Sequence, residues 1–122
     1  MKKLLAYRIR GEKRKLLKSI CAAFEISFSL VSPAEYGEAV GALAGLPGMK
    51  KQGRVCTGAG VGGEMLVFCG LDDALLDEFL DACRHRGMEP VACKAVLTPH
   101  NAPWSSEKLY EQLLREQREF SS

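Results

Sequence analysis

The apolar stripe of one helical face occurs twice in this chain, and each time it sits between the same neighbours. Leu16, Leu17, Ile20, Cys21 and Phe24 form the first stripe, and Leu75, Leu76, Phe79, Leu80 and Cys83 form the second, offset by 59 residues. Both sets follow the spacing of one side of an α-helix. A strand-like run precedes each stripe, Leu4 to Ile9 and Met65 to Cys69. A strand ending in hydroxyl plus proline follows each, first Ser27-Phe28-Ser29-Leu30-Val31-Ser32-Pro33 and later Ala95-Val96-Leu97-Thr98-Pro99. A further helix then closes each unit, Ala34 to about Ala44 and Ser105 to about Glu119. The pattern predicts an α/β domain: two βαβα repeats forming one four-stranded, mostly parallel or mixed sheet with four helices. The alternative is a two-layer α+β arrangement with an open sheet face.

The 122 residues suit one domain, residues 1–122, with the repeats at 1–45 and 64–122 and a linker loop at 46–63. Gly45 to Gly63 holds seven glycines in nineteen residues, and Arg54-Val55-Cys56-Thr57 is a candidate hairpin strand within it. Gly58-Ala59-Gly60-Val61-Gly62-Gly63 matches G-x-G-x-x-G. A dinucleotide site needs that loop to follow a strand and open a helix, whereas these glycines run into a strand. A linker is the better reading, and no cofactor is expected.

Asp72 and Asp73 cap the third helix, and Arg84, His85 and Arg86 load its last turn before Gly87. Ser105 caps the fourth helix, with Trp104 stapled against Leu109; Leu113, Leu114 and Phe120 continue its inner face. Met65 to Cys69 is apolar throughout, as in a strand buried on both faces. The other three strands alternate, with Leu5, Tyr7 and Ile9 opposed to Ala6, Arg8 and Arg10. Such alternation leaves part of one sheet face open, where a second copy could dock as a homodimer.

Charge is uneven. Residues 1–54 carry eleven Lys/Arg against four acids, and residues 55–122 carry six against eleven. Two halves that attract each other, within the fold or across a dimer, account for this. The basic half also suits nucleic acid, although no finger spacing or aromatic-interleaved RNA signature accompanies it. Cys21, Cys56, Cys69, Cys83 and Cys93 are odd in number and lack C-x-x-C spacing, which fits a reducing compartment. The opening Leu4-Leu5-Ala6-Tyr7 run stops at Arg8, too short for a signal peptide, and no run spans a bilayer. A cytoplasmic protein with no membrane partner is expected.

Cys83, His85, Cys93 and His100 fail as a zinc set, because residues 83 and 85 face different sides of a helix. No metal site is expected. Cys69 and His100 are the candidates for nucleophilic chemistry. If all strands run parallel, the strand-to-helix turns gather at one sheet edge, where open α/β sheets bind ligands. That edge would collect Ser32, Cys69, Asp72, Asp73, Thr98, His100 and Asn101 around a small polar ligand.

Lys94-Ala95-Val96-x-Thr98-Pro99-x-Asn101-x-x-Trp104, followed by Leu109, Leu113 and Glu116, resembles the ending of a bacterial domain family of unknown function. The resemblance runs from Met65 to about Phe120 and implies a strand, an acidic-capped helix, a second strand and a Leu-rich helix. It departs at His100, where the family pattern has a residue such as Thr. It implies no activity, cofactor or substrate. The expectation is therefore a non-catalytic binding or regulatory module for a small polar ligand or protein partner. The alternatives are a small enzyme at the strand carboxyl edge and nucleic-acid binding through the basic half.

Overall fold

The computed structural model describes residues 2–56 and 58–121, with side chains as far as Arg118 in the last helix. Strands β1 (Lys3–Tyr7), β2 (Ser27–Leu30), β3 (Met65–Cys69) and β4 (Cys93–Val96) form one sheet in the order β2-β1-β3-β4. Four helices pack on it: α1 (Gly11–Ala23), α2 (Val40–Ala44), α3 (Asp73–His85) and α4 (Ser106–Ser121). β1 runs parallel to β2 and β3 parallel to β4, each pair bridged by a crossover helix. β1 and β3 are antiparallel, with Leu5 opposite Val67. The sheet is mixed and the class is α/β, as the sequence pattern implies.

Antiparallel joining corrects one expectation. The carboxyl ends of β1 and β2 lie at one end of the sheet and those of β3 and β4 at the other. Ser32 therefore leaves the sheet at the opposite end from Cys69 and Thr98. A parallel sheet would need a crossover between β2 and β3. The chain instead makes a 3₁₀ turn at Pro33–Glu35, the single-turn-plus helix α2 and a long segment that returns it antiparallel. The helix expected from Ala34 to Ala44 is interrupted at Gly37, where an added Cβ would lie 2.5 Å from the Val55 backbone.

Both faces of the sheet are covered. Leu4, Ala6, Leu66 and Phe68 pack under α1 and α3 with Leu17, Ile20, Cys21, Phe79 and Cys83. Leu5, Tyr7, Met65, Val67 and Cys69 face Tyr36, Val40, Val61 and Leu109 on the other side. The alternation expected of β1 is thus not the structural pattern: Ala6 is as buried as Leu5, because β1 is a central strand with a covered face on each side. Among the described residues no face of the central strands is left open, and exposure within the sheet is confined to the edge strands, where Leu30 and Val96 are 43% and 41% exposed.

Between the two βαβ units the first strands and the crossover helices correspond at an offset of 62 rather than 59, since α1 begins at Gly11 and α3 at Asp73, and the edge strands correspond in register at an offset of 66. A three-residue slip is nearly one helical turn, so periodicity alone does not distinguish the two registers. Backbone geometry does. Arg8 (φ 62) and Glu25 (φ 57) are left-handed, and their equivalents Gly70 (φ 78) and Gly87 (φ 75) are left-handed too.

Most sequence-expected boundaries are in place. The Asp72 carboxylate accepts the Leu75 N–H at 2.8 Å, and the Ser105 hydroxyl accepts the Lys108 N–H at 3.1 Å. His85 closes the end of α3 through Nδ1 to the Asp81 carbonyl at 2.8 Å. Trp104 packs on the core cluster that contains Leu109. The Phe120 side chain lies outside the described residues. No described helix is long and apolar enough to cross a membrane.

Candidate binding groove

The residues expected at the strand carboxyl edge are accounted for first. Thr98, His100, Asn101, Asp72 and Asp73 are exposed, or half-buried in the case of Asn101, beyond the carboxyl ends of β3 and β4. Thr98 and Asn101 clasp each other: the Thr98 N–H donates to Asn101 Oδ1 at 2.9 Å, and the Asn101 N–H to Thr98 Oγ1 at 3.2 Å. Asn101 Nδ2 also donates to the Val96 carbonyl at 3.0 Å. His100 sets its ring edge-on to Trp104, with centroids 5.1 Å apart. Asp72 spends an oxygen on the helix cap, and Asp73 stands in the first turn, where the helix dipole favours a negative charge. Cys69 is buried, and burial pushes its thiol up to about 11.

The glycine-rich segment is more than a tether. Buried Glu38 accepts the Gln52 and Gly53 N–H groups, each at 2.8 Å, with its two carboxylate oxygens. Arg8 Nε donates to the Val61 carbonyl at 2.8 Å, and Lys51 pairs with Glu35. At the far end Glu107 accepts the Gly60 N–H at 2.6 Å and the Cys56 thiol at 2.9 Å. The Cys56 hydrogen bond, followed by that of Gly60, holds the Glu107 carboxyl below its ordinary value; the same carboxylate raises the Cys56 thiol. A thiol kept protonated is a poor nucleophile. The candidate strand at Arg54-Val55-Cys56 is not a strand here, and Thr57 lies outside the described residues.

The two units differ in side chains between helix and edge strand. In the first unit Phe28 stands beside Leu4 in register. In the second, Lys94 stands beside Leu66 and turns its ammonium back to the Val91 carbonyl at 2.6 Å. A groove of about 370 Å³ opens there between α3 and β4, with Leu66, Leu80, Cys83, Met88 and Val91 among its walls. That volume is in the range of small-molecule sites. Asp77, Asp81, Arg84 and Lys94 supply its polar lining. Arg84 is paired with Asp81 and Lys94 with the backbone, while Asp77 has no ion-pair partner among the described residues. The groove therefore presents an apolar floor with one unpaired carboxylate, Asp77, and one ammonium, Lys94, held on a backbone carbonyl.

These walls lie inside the segment of the chain that similarity picks out. Residues 64–120 match the profile of DUF3783, a domain of unknown function. No curated protein and no solved structure matches the chain. The DUF3783 segment begins one residue before β3 and includes α3, β4 and most of α4, so it carries both walls of the groove.

Sequence reading placed weight on Thr98, His100 and Asn101 and passed over Asp77, Met88, Val91 and the space beside Lys94. A usable signal was present: Lys94 sits where the first unit has half-buried Phe28, an apolar-to-charged exchange on an edge strand. The element-for-element register was needed to see it. The cysteines and histidines considered for a metal are dispersed, since Cys83 projects from α3 onto one face of the sheet and Cys93 packs on the opposite face.

Proposed function

We propose that this chain is a non-catalytic binding module of the cytoplasm whose binding surface is the α3–β4 groove. The observation that carries the reading is an apolar floor with an unpaired carboxylate, Asp77, on its rim, while the Lys94 ammonium is folded back onto the Val91 carbonyl. An occupant with an apolar body and a cationic end satisfies both. The thiols support a non-catalytic role: burial raises the pKa values of Cys21, Cys69, Cys83 and Cys93, and Glu107 keeps Cys56 protonated. In this reading Thr98, Asn101 and Asp72 brace their turns, and His100 backs Trp104.

An NMR titration with phenethylamine tests the assignment. Its ring matches the floor and its ammonium matches Asp77. Shifts concentrated at Leu66, Leu80, Met88 and Val91, and abolished by Asp77→Lys, are expected. Shifts that ignore this groove, or that survive the substitution unchanged, refute it.

A further inference from the structure

The first unit carries the chemistry that the groove of the second calls for. At its own margin, between α1 and β2, Arg14, Lys15, Lys18, Phe28 and Leu30 line a cavity of about 430 Å³, with Leu30 on the edge strand at its lip. Leu30 is one of the exposed large hydrophobics, and its equivalent in the second unit, Val96, is another. Lys15 holds the position in α1 that Asp77 holds in α3, at the offset of 62 set by the helix starts. Lys15 is paired with exposed Glu12 at 3.5 Å, whereas Arg14 and Lys18 have no ion-pair partner among the described residues. On α3, Asp77 and Glu78 are likewise without one. β2 and β4 are the two edge strands of the sheet, so these margins lie at opposite sides of the molecule.

Resting on the reading of the groove given above, we propose that its occupant is a second copy of this chain. The α1–β2 margin of one copy docks into the α3–β4 groove of the next, placing Leu30 on the apolar floor and Arg14 and Lys18 opposite Asp77 and Glu78. Charge favours this arrangement. The α1–β2 margin carries Arg14, Lys15 and Lys18 and repels its own kind, whereas the α3–β4 margin carries, beside Lys94 and the Arg84–Asp81 pair, the unpaired acids Asp77 and Glu78 that attract it. The contact is heterologous, so each copy keeps one free margin and assembly proceeds to a ring or a chain. Asn101 already occupies the outward carbonyl of Val96, so side chains rather than an extended strand ladder carry the contact.

Sedimentation velocity on the full chain, from micromolar to millimolar concentration and at two salt strengths, tests the pairing. The wild-type chain is expected to associate reversibly, and less so at high salt. Asp77→Lys and the double change Arg14→Glu with Lys18→Glu, all at exposed positions, should each weaken association about tenfold or more. Mixed together, the two variants should regain it, because the first keeps an intact basic margin and the second an intact groove. A wild-type chain that stays monomeric at millimolar concentration overturns the proposal. Variants that associate like the wild type, or a mixture that does not recover, overturn it as well. So does a monomer whose basic margin binds generic RNA with loss in the Arg14/Lys18 variant. The phenethylamine titration is independent of these outcomes: with localised shifts and no self-association, the groove stands and the second copy falls.

Discussion

Tyr7 and Ser106 tie the two ends of the chain together through one buried hydrogen bond, 2.7 Å long between side chains 99 positions apart. Both residues are 0% exposed, and neither hydroxyl has another partner among the described residues. Burial raises the Tyr7 phenol far above its ordinary value, outweighing the lowering effect of the Ser106 hydroxyl, so the group stays neutral. Tyr7→Phe leaves the Ser106 hydroxyl buried and unpaired, at a cost of about 1–3 kcal/mol. Ser106→Ala strands the phenol in the same way. Removing both partners leaves no orphan, so the double variant should lose clearly less than the two single losses combined. A coupling of roughly 1–2 kcal/mol is expected. Urea unfolding followed by the fluorescence of Trp104, the only tryptophan, measures all four proteins. Losses that add without coupling would refute this account and place the tyrosine's contribution in ring packing against Tyr36, whose centroid is 5.8 Å away.

Glu25→Gly should stabilise the chain by roughly 0.5–1 kcal/mol, because Glu25 bears a left-handed backbone (φ 57) with a Cβ, and denaturant midpoints report it. Arg8→Gly relieves the same strain (φ 62) but loses the bond to Val61, so no comparable gain should appear in the same assay. Glu38→Gln turns one acceptor of the Gln52 and Gly53 amides into a donor, so hydrogen exchange at those two amides should accelerate about tenfold or more. The Glu107–Cys56 contact should hold only in the window set by its two shifts. Glu107 is depressed, so its contribution is present above the ordinary carboxylate value of about 4.3 and lost as pH falls through its lowered one. Cys56 is raised, so its contribution is present below the ordinary thiol value of about 8.5 and lost as pH rises through its raised one. Iodoacetamide labelling of Cys56 should turn on at higher pH than for a free thiol, and Glu107→Gln should move that onset down.

Much of this architecture was legible because its determinants are local. The α3 cap at Asp72, the left-handed Gly87, the Ser105 cap and the buried run Met65–Cys69 each follow from a few neighbouring residues. What was not legible depends on partners distant in sequence. Ala6 looks like the polar-face member of an alternating strand until β3 is laid beside β1 and α1 covers it. Strand direction is equally silent: nothing within residues 27–35 announces that the chain will return antiparallel. Glu38, Arg8 and Glu107 read as ordinary surface charges, yet each finds its partner in the glycine-rich segment. Glycine made that segment look featureless, because its anchoring lies in backbone groups held by side chains from elsewhere. The candidate site suffered in the same way, since hydroxyl, amide and imidazole attract attention even when, as at Thr98 and Asn101, they are consumed by a turn.

The differences between the two units are therefore more informative than their likeness. Both frames require a left-handed residue after the central strand and another after the crossover helix, and the second unit meets both with glycine. The first unit meets them with Arg8 and Glu25, and only Arg8 has a side-chain bond that offsets the cost. That asymmetry is why the two glycine substitutions should behave differently. The same comparison sets the two helix–edge-strand margins side by side. Each carries a cavity, about 430 Å³ beside Phe28 in the first unit and about 370 Å³ beside Lys94 in the second, where Leu66 and Val91 form the floor. With Lys15 replaced by Asp77 on the adjoining helix, the charge beside that cavity is inverted. A margin that is basic throughout and one that carries unpaired acids suit mutual recognition better than binding two unrelated partners, and the paired charge variants separate those cases.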